Sequence, residues 1–287
     1  MEGRVDAHQH FWRYSPSGLD WIAPGSILAR DYEPHQLRTE LDDAGIAGSI
    51  VVQARQTLEE TRWLLRLAEQ NPWIVGVVGW IDLRSEALDG QLTEFSGAAR
   101  LLGFRHVVQD EADPRFLLDP AFQRGVRKVL SAGFAYDLLI KAPQLEHVPA
   151  FLDAVGPGRI VLDHGAKPAI AEGEWEPWAS RVAAIAERYP IYCKLSGLVT
   201  EADPDAWVEE EMLRYMGHLL DRFGPRRMIF GSDWPVCLLA ASYHRVHALV
   251  ERFLEPLCAQ DRAAIMGGNA LRAYARLDEN VQGETVQ

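Results

Sequence analysis

The segment VDAHQHFW, residues 5–12, places two imidazoles one residue apart, directly after an apolar start. Side chains alternate along a strand, so His8 and His10 share a face if this segment is extended. Chemically competent residues recur at the ends of other apolar runs. Gln53 and Arg55 follow GSIVV, Arg105 and Gln109 lie in GFRHVVQ, and His164 lies in VLDHGAKP. Lys194 and Ser196 lie in CKLSG, and Asp233 in FGSDWP. Three imidazoles and one carboxylate can take a proton from water, polarise a carbonyl, or hold one Zn2+ with room for a water. Each is weak evidence alone. A lone HxH is as often a satisfied pair in a core, and Asp233 alone is a reasonable turn former before Trp234-Pro235. The set gains weight only from a fold that gathers it.

The pattern of elements supplies that fold. Short β-rich runs occupy 4–11, 48–54, 75–83, 101–109, 134–141, 159–165, 191–197 and 228–235. Several are near-continuous Val/Ile-rich stretches, as expected of strands buried on both faces. Helical patterns fall between them. The spacing predicts helices over 57–70 (Leu64, Leu67 and Ala68), 119–134 (Phe122, Val126, Val129, Leu130 and Phe134) and 204–223 (Leu213, Met216, Leu220 and Phe223). Strands alternating with helices imply parallel pairing with right-handed crossovers, and eight strands close a single (β/α)8 TIM barrel. An open doubly wound sheet is the rival, but no GxGxxG follows any strand. The barrel is expected over 1–275, followed by a frayed polar tail over 276–287. In such a barrel the site lies at the C-terminal ends of the strands, where His8, His10, His164 and Asp233 would converge.

Composition narrows the partners. The 287 residues carry a net charge of -12 and no Lys/Arg block, which argues against nucleic acid or an anionic membrane surface. MEGRVDAHQH has no apolar core of a secretory signal, and no apolar run approaches the ~20 residues that span a bilayer. Cys193, Cys237 and Cys258 form no CxxC pair, so a cytoplasmic location is expected. Oligomeric state has no signature in the sequence.

The ordered set, HxH after the first strand, His after the sixth and Asp after the eighth, resembles the amidohydrolase superfamily. VDAHQHFWRY, GFRHVVQDEAD, VLDHGAKP, CKLSGLVTEAD and FGSDWPVCLLAASY are similar to its lactonase branch, which opens sugar lactones of the L-fuconolactone type and includes pyrone-dicarboxylate lactonase. The similarity runs from about residue 4 to residue 274, with HGAKP where HAGKP is expected. It implies hydrolysis of a cyclic ester, with His8, His10 and His164 around the carbonyl or a metal and Asp233 as general base. The elementary chemistry agrees: a carboxylate takes the water proton, and imidazoles or a single Zn2+ stabilise the oxyanion. Asp233 can then return the proton to the leaving alkoxide. No GxSxG elbow points to an acyl-enzyme. The branch also implies metal-free members, so both options stand.

Substrate contacts are expected from Trp21, with Trp12 as an alternative, in the aromatic loop HFWRYSPSGLDWIAPG, and from Gln53, Arg55, Arg105 and Tyr136. Two rivals remain: a zinc-dependent decarboxylase using the same ligands, and a sugar-binding protein without catalysis. Release of a hydroxy acid from a neutral lactone excludes both.

Overall fold

A computed structural model describes residues 3–275. Eight strands run parallel in sequence order: β1 (Val5–Gln9), β2 (Gly48–Val52), β3 (Ile74–Gly79), β4 (Leu101–Val107), β5 (Ala135–Leu139), β6 (Ile160–Leu162), β7 (Tyr192–Leu195) and β8 (Met228–Phe230). The seam closes beyond the end of β8. There Gln9 bridges Trp234, the His10 N–H donates to the Trp234 carbonyl at 2.7 Å, and the Asp233 N–H donates to the His8 carbonyl at 2.8 Å. The result is a (β/α)8 barrel. The expected tail over 276–287 lies outside the described residues.

The crossover helices are α1 (Pro34–Asp43), α2 (Leu58–Gln70), α3 (Leu88–Phe95), α4 (Pro120–Ser131), α5 (Val148–Val155), α6 (Trp178–Arg188), α7 (Glu209–Phe223) and α8 (Tyr243–Leu254). Local chemistry sets their starts. The Thr57 hydroxyl accepts from the Glu60 N–H at 3.2 Å to open α2, and the Asp119 carboxylate accepts from the Ala121 N–H at 2.8 Å to open α4. Two boundaries differ from the sequence expectation. The helix expected from 204 begins only at Glu209. Asp203 instead holds a turn, its carbonyl accepting from Trp207 at 3.0 Å and its carboxylate from Asp205 at 3.0 Å. Phe134 is not helical: α4 stops at Ser131, Gly133 (φ 81°) turns the chain toward β5, and Phe134 is buried just before that strand.

The core has two layers. The larger lies between the strands and the helices; the smaller fills the barrel lumen with Ala7, Ile50, Val52, Val78, Ala135, Val161 and Ile229. The short helices α9 (Ala259–Ala263) and α10 (Asn269–Ala273) follow, and Ala270, Ala273 and Tyr274 pack against the lumen layer. The barrel is therefore a packed core with chemistry at one end. Among the described residues, no helix is long and apolar enough to cross a membrane.

Candidate active site

Alternation along the strands, broken in β1 by a register shift between Asp6 and Gln9, sorts side chains between lumen and exterior. Above the apolar lumen layer sits a fully buried charged layer: Asp137 of β5, Asp163 after β6 and Lys194 of β7. The Lys194 ammonium bonds Asp137, reaches Asp163 Oδ1 at 2.9 Å and His8 Nδ1 at 3.1 Å. The Tyr274 hydroxyl donates to Asp137 at 2.8 Å. Arg105 of β4 donates from one guanidinium nitrogen to Asp163 Oδ2 at 3.1 Å, and from the other to the Gln53 carbonyl and side-chain oxygens at 2.6 and 2.8 Å.

A cavity of about 420 Å³ opens above this layer, walled by His10, Gln53, Arg105, His164 and Asp233, with Trp21 and Leu239 toward its mouth. That volume suits a small ligand. His10 Nδ1 faces the Val52 carbonyl at 2.8 Å, so this nitrogen is the donor. Its Nε2 lies 3.2 Å from His8 Nε2 and 3.3 Å from Asp233 Oδ1. His164 Nδ1 meets the Ser196 hydroxyl at 2.9 Å.

Two of these residues occupy backbone regions that L-residues seldom adopt. Asp233 has φ 59°, and His164 (φ 52°) begins a left-handed turn continued by Gly165, Ala166 and Lys167. Such conformations persist where the surrounding structure fixes them, and they concentrate at working sites. At Asp233 the fixing groups are the seam bond to His8 and Asp6, whose carboxylate accepts from the Ser232 N–H at 2.9 Å and the His8 N–H at 3.2 Å. At His164 the imidazole lies over Gly197 (φ 64°), where a Cβ would come within 2.5 Å of Nδ1.

Burial and neighbouring charge set the protonation states. Burial would raise the Asp233 carboxyl, but the imidazoles of His164, His10 and His8 outweigh it and hold Asp233 below the usual carboxylate range. Burial lowers His164 to about 4, helped by Lys167 and Arg105. Burial also lowers His10, and burial together with the Lys194 charge holds His8 well below its ordinary value. At neutral pH the site is an ionised carboxylate among neutral imidazoles.

The spacing of His8 Nε2, His10 Nε2 and Asp233 Oδ1, 3.2, 3.3 and 3.6 Å apart, resembles the edges of a tetrahedral zinc site, about 3.3 Å for ligands at 2.0–2.1 Å. These residues could hold a metal by spacing, as could His8, Asp163 and His164. The environment of His8 does not fit one. A ligating imidazole ordinarily gives its other N–H to a carbonyl or carboxylate, as His10 does. His8 instead meets the Lys194 ammonium at Nδ1, at 3.1 Å and nearer than the Asp163 carboxylate at 3.6 Å, and an Arg105 guanidinium nitrogen, 3.2 Å away, at Nε2.

Several expected substrate contacts are placed elsewhere. Tyr136 points out of the barrel, its buried ring packed between Phe122 and Phe151, because its neighbour Asp137 takes the lumen-facing position. Arg55 is turned away from the cavity and ties down the first loop through the carbonyls of Gly18 and Arg13. Trp12 is buried, its indole N–H on the Arg30 carbonyl at 2.9 Å, whereas Trp21 packs edge-on against it and is 46% exposed on the cavity wall. His8 lies beneath the wall and reaches the cavity through His10, Asp233, Arg105 and His164, whose ring packs on it at 4.4 Å. The sequence reading passed over Asp163, which shares a strand face with Val161 by the period of two, and the pair Lys167–Glu201, 3.1 Å apart at the mouth.

A closed parallel barrel with a carboxylate and imidazoles at the C-terminal strand ends defines a hydrolase-type site of the kind this fold hosts. The chain belongs to the amidohydrolase family, whose model matches residues 5–276. It is 45% identical over 284 residues, 95% of this chain and 96% of the relative, to an L-fucono-1,5-lactonase of Burkholderia multivorans. It is 36% identical to an L-fucono-1,5-lactonase of Burkholderia ambifaria, covering 97% of both chains. An amidohydrolase structure from B. multivorans with bound zinc superposes with a TM-score of 0.91 at 44% identity, over 96% of this chain and 99% of that one.

Proposed function

We propose that this protein hydrolyses a neutral sugar lactone, L-fuconolactone or a close aldonolactone, to the open hydroxy acid. The observation that carries the reading is the ionised Asp233 on the wall of a small cavity, beside His10, His164 and the Arg105 guanidinium. Asp233 takes the proton from a water as it adds to the lactone carbonyl. Arg105 and the imidazole of His164 supply donors to the oxygen that becomes negative, in a site where such donors are already oriented. Collapse of the tetrahedral intermediate breaks the bond to the ring oxygen, and Asp233 returns the proton to that oxygen. Gln53 pairs with Arg105 and, with Trp21, borders the space for the sugar ring.

Two relatives bearing the L-fucono-1,5-lactonase name over nearly their whole length support the substrate class. These steps need only side chains, and cationic groups contact both nitrogens of His8, the residue shared by both possible ligand sets. The three cysteines are free, two of them buried, which suits a reducing cytoplasm. Incubation of the purified protein with a panel of aldonolactones, followed by acid release, tests the reading. No release above the spontaneous rate from any lactone would overturn it, and carbon dioxide release from an aromatic acid would favour the decarboxylase.

A further inference from the structure

Lys194 lies outside the steps above, yet it is a fully buried cation packed against His8. An ammonium carries three protons and accepts none. In the lumen the ammonium hydrogen-bonds to Asp137 and to His8 Nδ1 at 3.1 Å, and it pairs in charge with Asp163 Oδ1 at 2.9 Å. The contact with His8 is a hydrogen bond only if Nδ1 is bare, and a neutral imidazole with a bare Nδ1 carries its proton on Nε2. That proton has a use. His10 gives its Nδ1–H to the Val52 carbonyl, which leaves Nε2 of neutral His10 as a lone pair. This lone pair stands 3.3 Å from the ionised Asp233, so two acceptors face one another. His8 Nε2 lies 3.2 Å from the one and 3.6 Å from the other.

We propose that Lys194 is a positioning residue: by donating to Nδ1 it fixes His8 as the Nε2–H tautomer, and the Nε2–H holds His10 and Asp233 together in the arrangement that hydrolysis needs. Arg105 competes for the same nitrogen at 3.2 Å. Its protons have Asp163 Oδ2, Gln53 and the open cavity to turn to, whereas the third proton of Lys194 is sealed in the lumen with His8 as its remaining partner among the described residues. An unmet buried donor costs more than an exposed one, so Lys194 decides the tautomer. Asp137 and Tyr274 hold Lys194 in place, which links the segment packed against the lumen layer to the site at the other end of the barrel.

The role in turnover rests on the lactonase reading; the tautomer does not. Ring 15N–1H correlation spectra of the labelled, substrate-free protein, with His8→Gln used only to assign the His8 signals, should show a bare Nδ1 and a protonated Nε2. A protonated Nδ1 with a bare Nε2 would overturn the proposal. Lys194→Met combined with Asp137→Asn, which avoids stranding a lone buried carboxylate, should move the His8 proton to Nδ1. It should lower kcat about 10- to 100-fold with KM little changed. If that pair fails to fold, Lys194→Gln decides: its amide still donates, so the Nε2–H signal and most of kcat should persist. A variant that loses the Lys194 donor but keeps the Nε2–H signal, or keeps wild-type kcat, would contradict the proposal. A correct tautomer in a protein that opens no lactone would sink the lactonase reading and leave the assignment of His8 standing.

Discussion

His10 Nε2 lies 3.3 Å from Asp233 Oδ1 across the seam that closes the barrel. Two main-chain bonds, His10 to Trp234 and Asp233 to His8, fix the same seam. The bonds that complete the fold therefore also set the separation of Asp233 from its imidazole neighbour. This coupling accounts for the unusual backbone of Asp233 (φ 59°): the side chain is aimed by the closure of the barrel itself.

If Asp233 is the base, Asp233→Asn keeps the shape and loses the proton acceptor. Turnover should fall roughly 100- to 10,000-fold with substrate binding largely intact. Steady-state rates on the best lactone check this. A variant within about threefold of wild type would move the role to another residue.

The pH profile should separate a carboxylate base from an imidazole base. Asp233 is held below the ordinary carboxylate range, and His164 is lowered to about 4. Both groups are then in their working forms, ionised and neutral respectively, at pH values well above 4. As pH falls through His164, the imidazole gains a proton, and activity should be lost on that limb. We expect kcat/KM to stay flat down to about pH 5. A half-maximum between about pH 6 and 7 would identify an ordinary histidine as the base.

Two glycine-to-alanine changes should have opposite signs. Gly197→Ala puts a methyl within 2.5 Å of His164 Nδ1 at a left-handed position, so it should lower both stability and kcat. Gly217 lies within α7, with nothing within 4 Å of an added methyl. Gly217→Ala should stabilise by about 0.5–1 kcal/mol and leave activity alone. Thermal melts and lactone assays on both variants check the pair.

Metal removal is a separate test. Arg105 and Lys194 already bring positive charge to both nitrogens of His8. Exhaustive chelation, verified by metal analysis, should leave kcat/KM within about twofold. A loss restored specifically by zinc would shift carbonyl polarisation from the side chains to a bound ion.

The barrel was legible because several strands are buried apolar runs with polar residues near their ends, and the crossovers carry the helical period. Convergence of His10, His164 and Asp233 followed from strand ends alone. The failures were of parity and depth. Tyr136 and Asp137 are adjacent, and only one of them can face the lumen; burial of Tyr136 against Phe122 decides which. Arg55 lies past the end of β2, where alternation no longer governs direction. His8 faces the right way but sits below the cavity, a distinction set by the layers of the lumen. The bond from Tyr274 to Asp137 joins residues 137 apart and exists only once the barrel has closed.

The central claim concerns the charge of the substrate. Both cations on the cavity wall are already engaged, Arg105 with Asp163 at 3.1 Å and Lys167 with Glu201 at 3.1 Å, and Asp110 and Asp233 line the same space. A dianion would need free, preferably bidentate, arginines. The most direct measurement compares kcat/KM for L-fuconolactone with that for 2-pyrone-4,6-dicarboxylate, at matched ionic strength, by acid release. A neutral-lactone value at least about tenfold higher, or roughly 1.4 kcal/mol in transition-state stabilisation, is the predicted result. Preference for the dicarboxylate would contradict the assignment and make this a hydrolase of aromatic breakdown products.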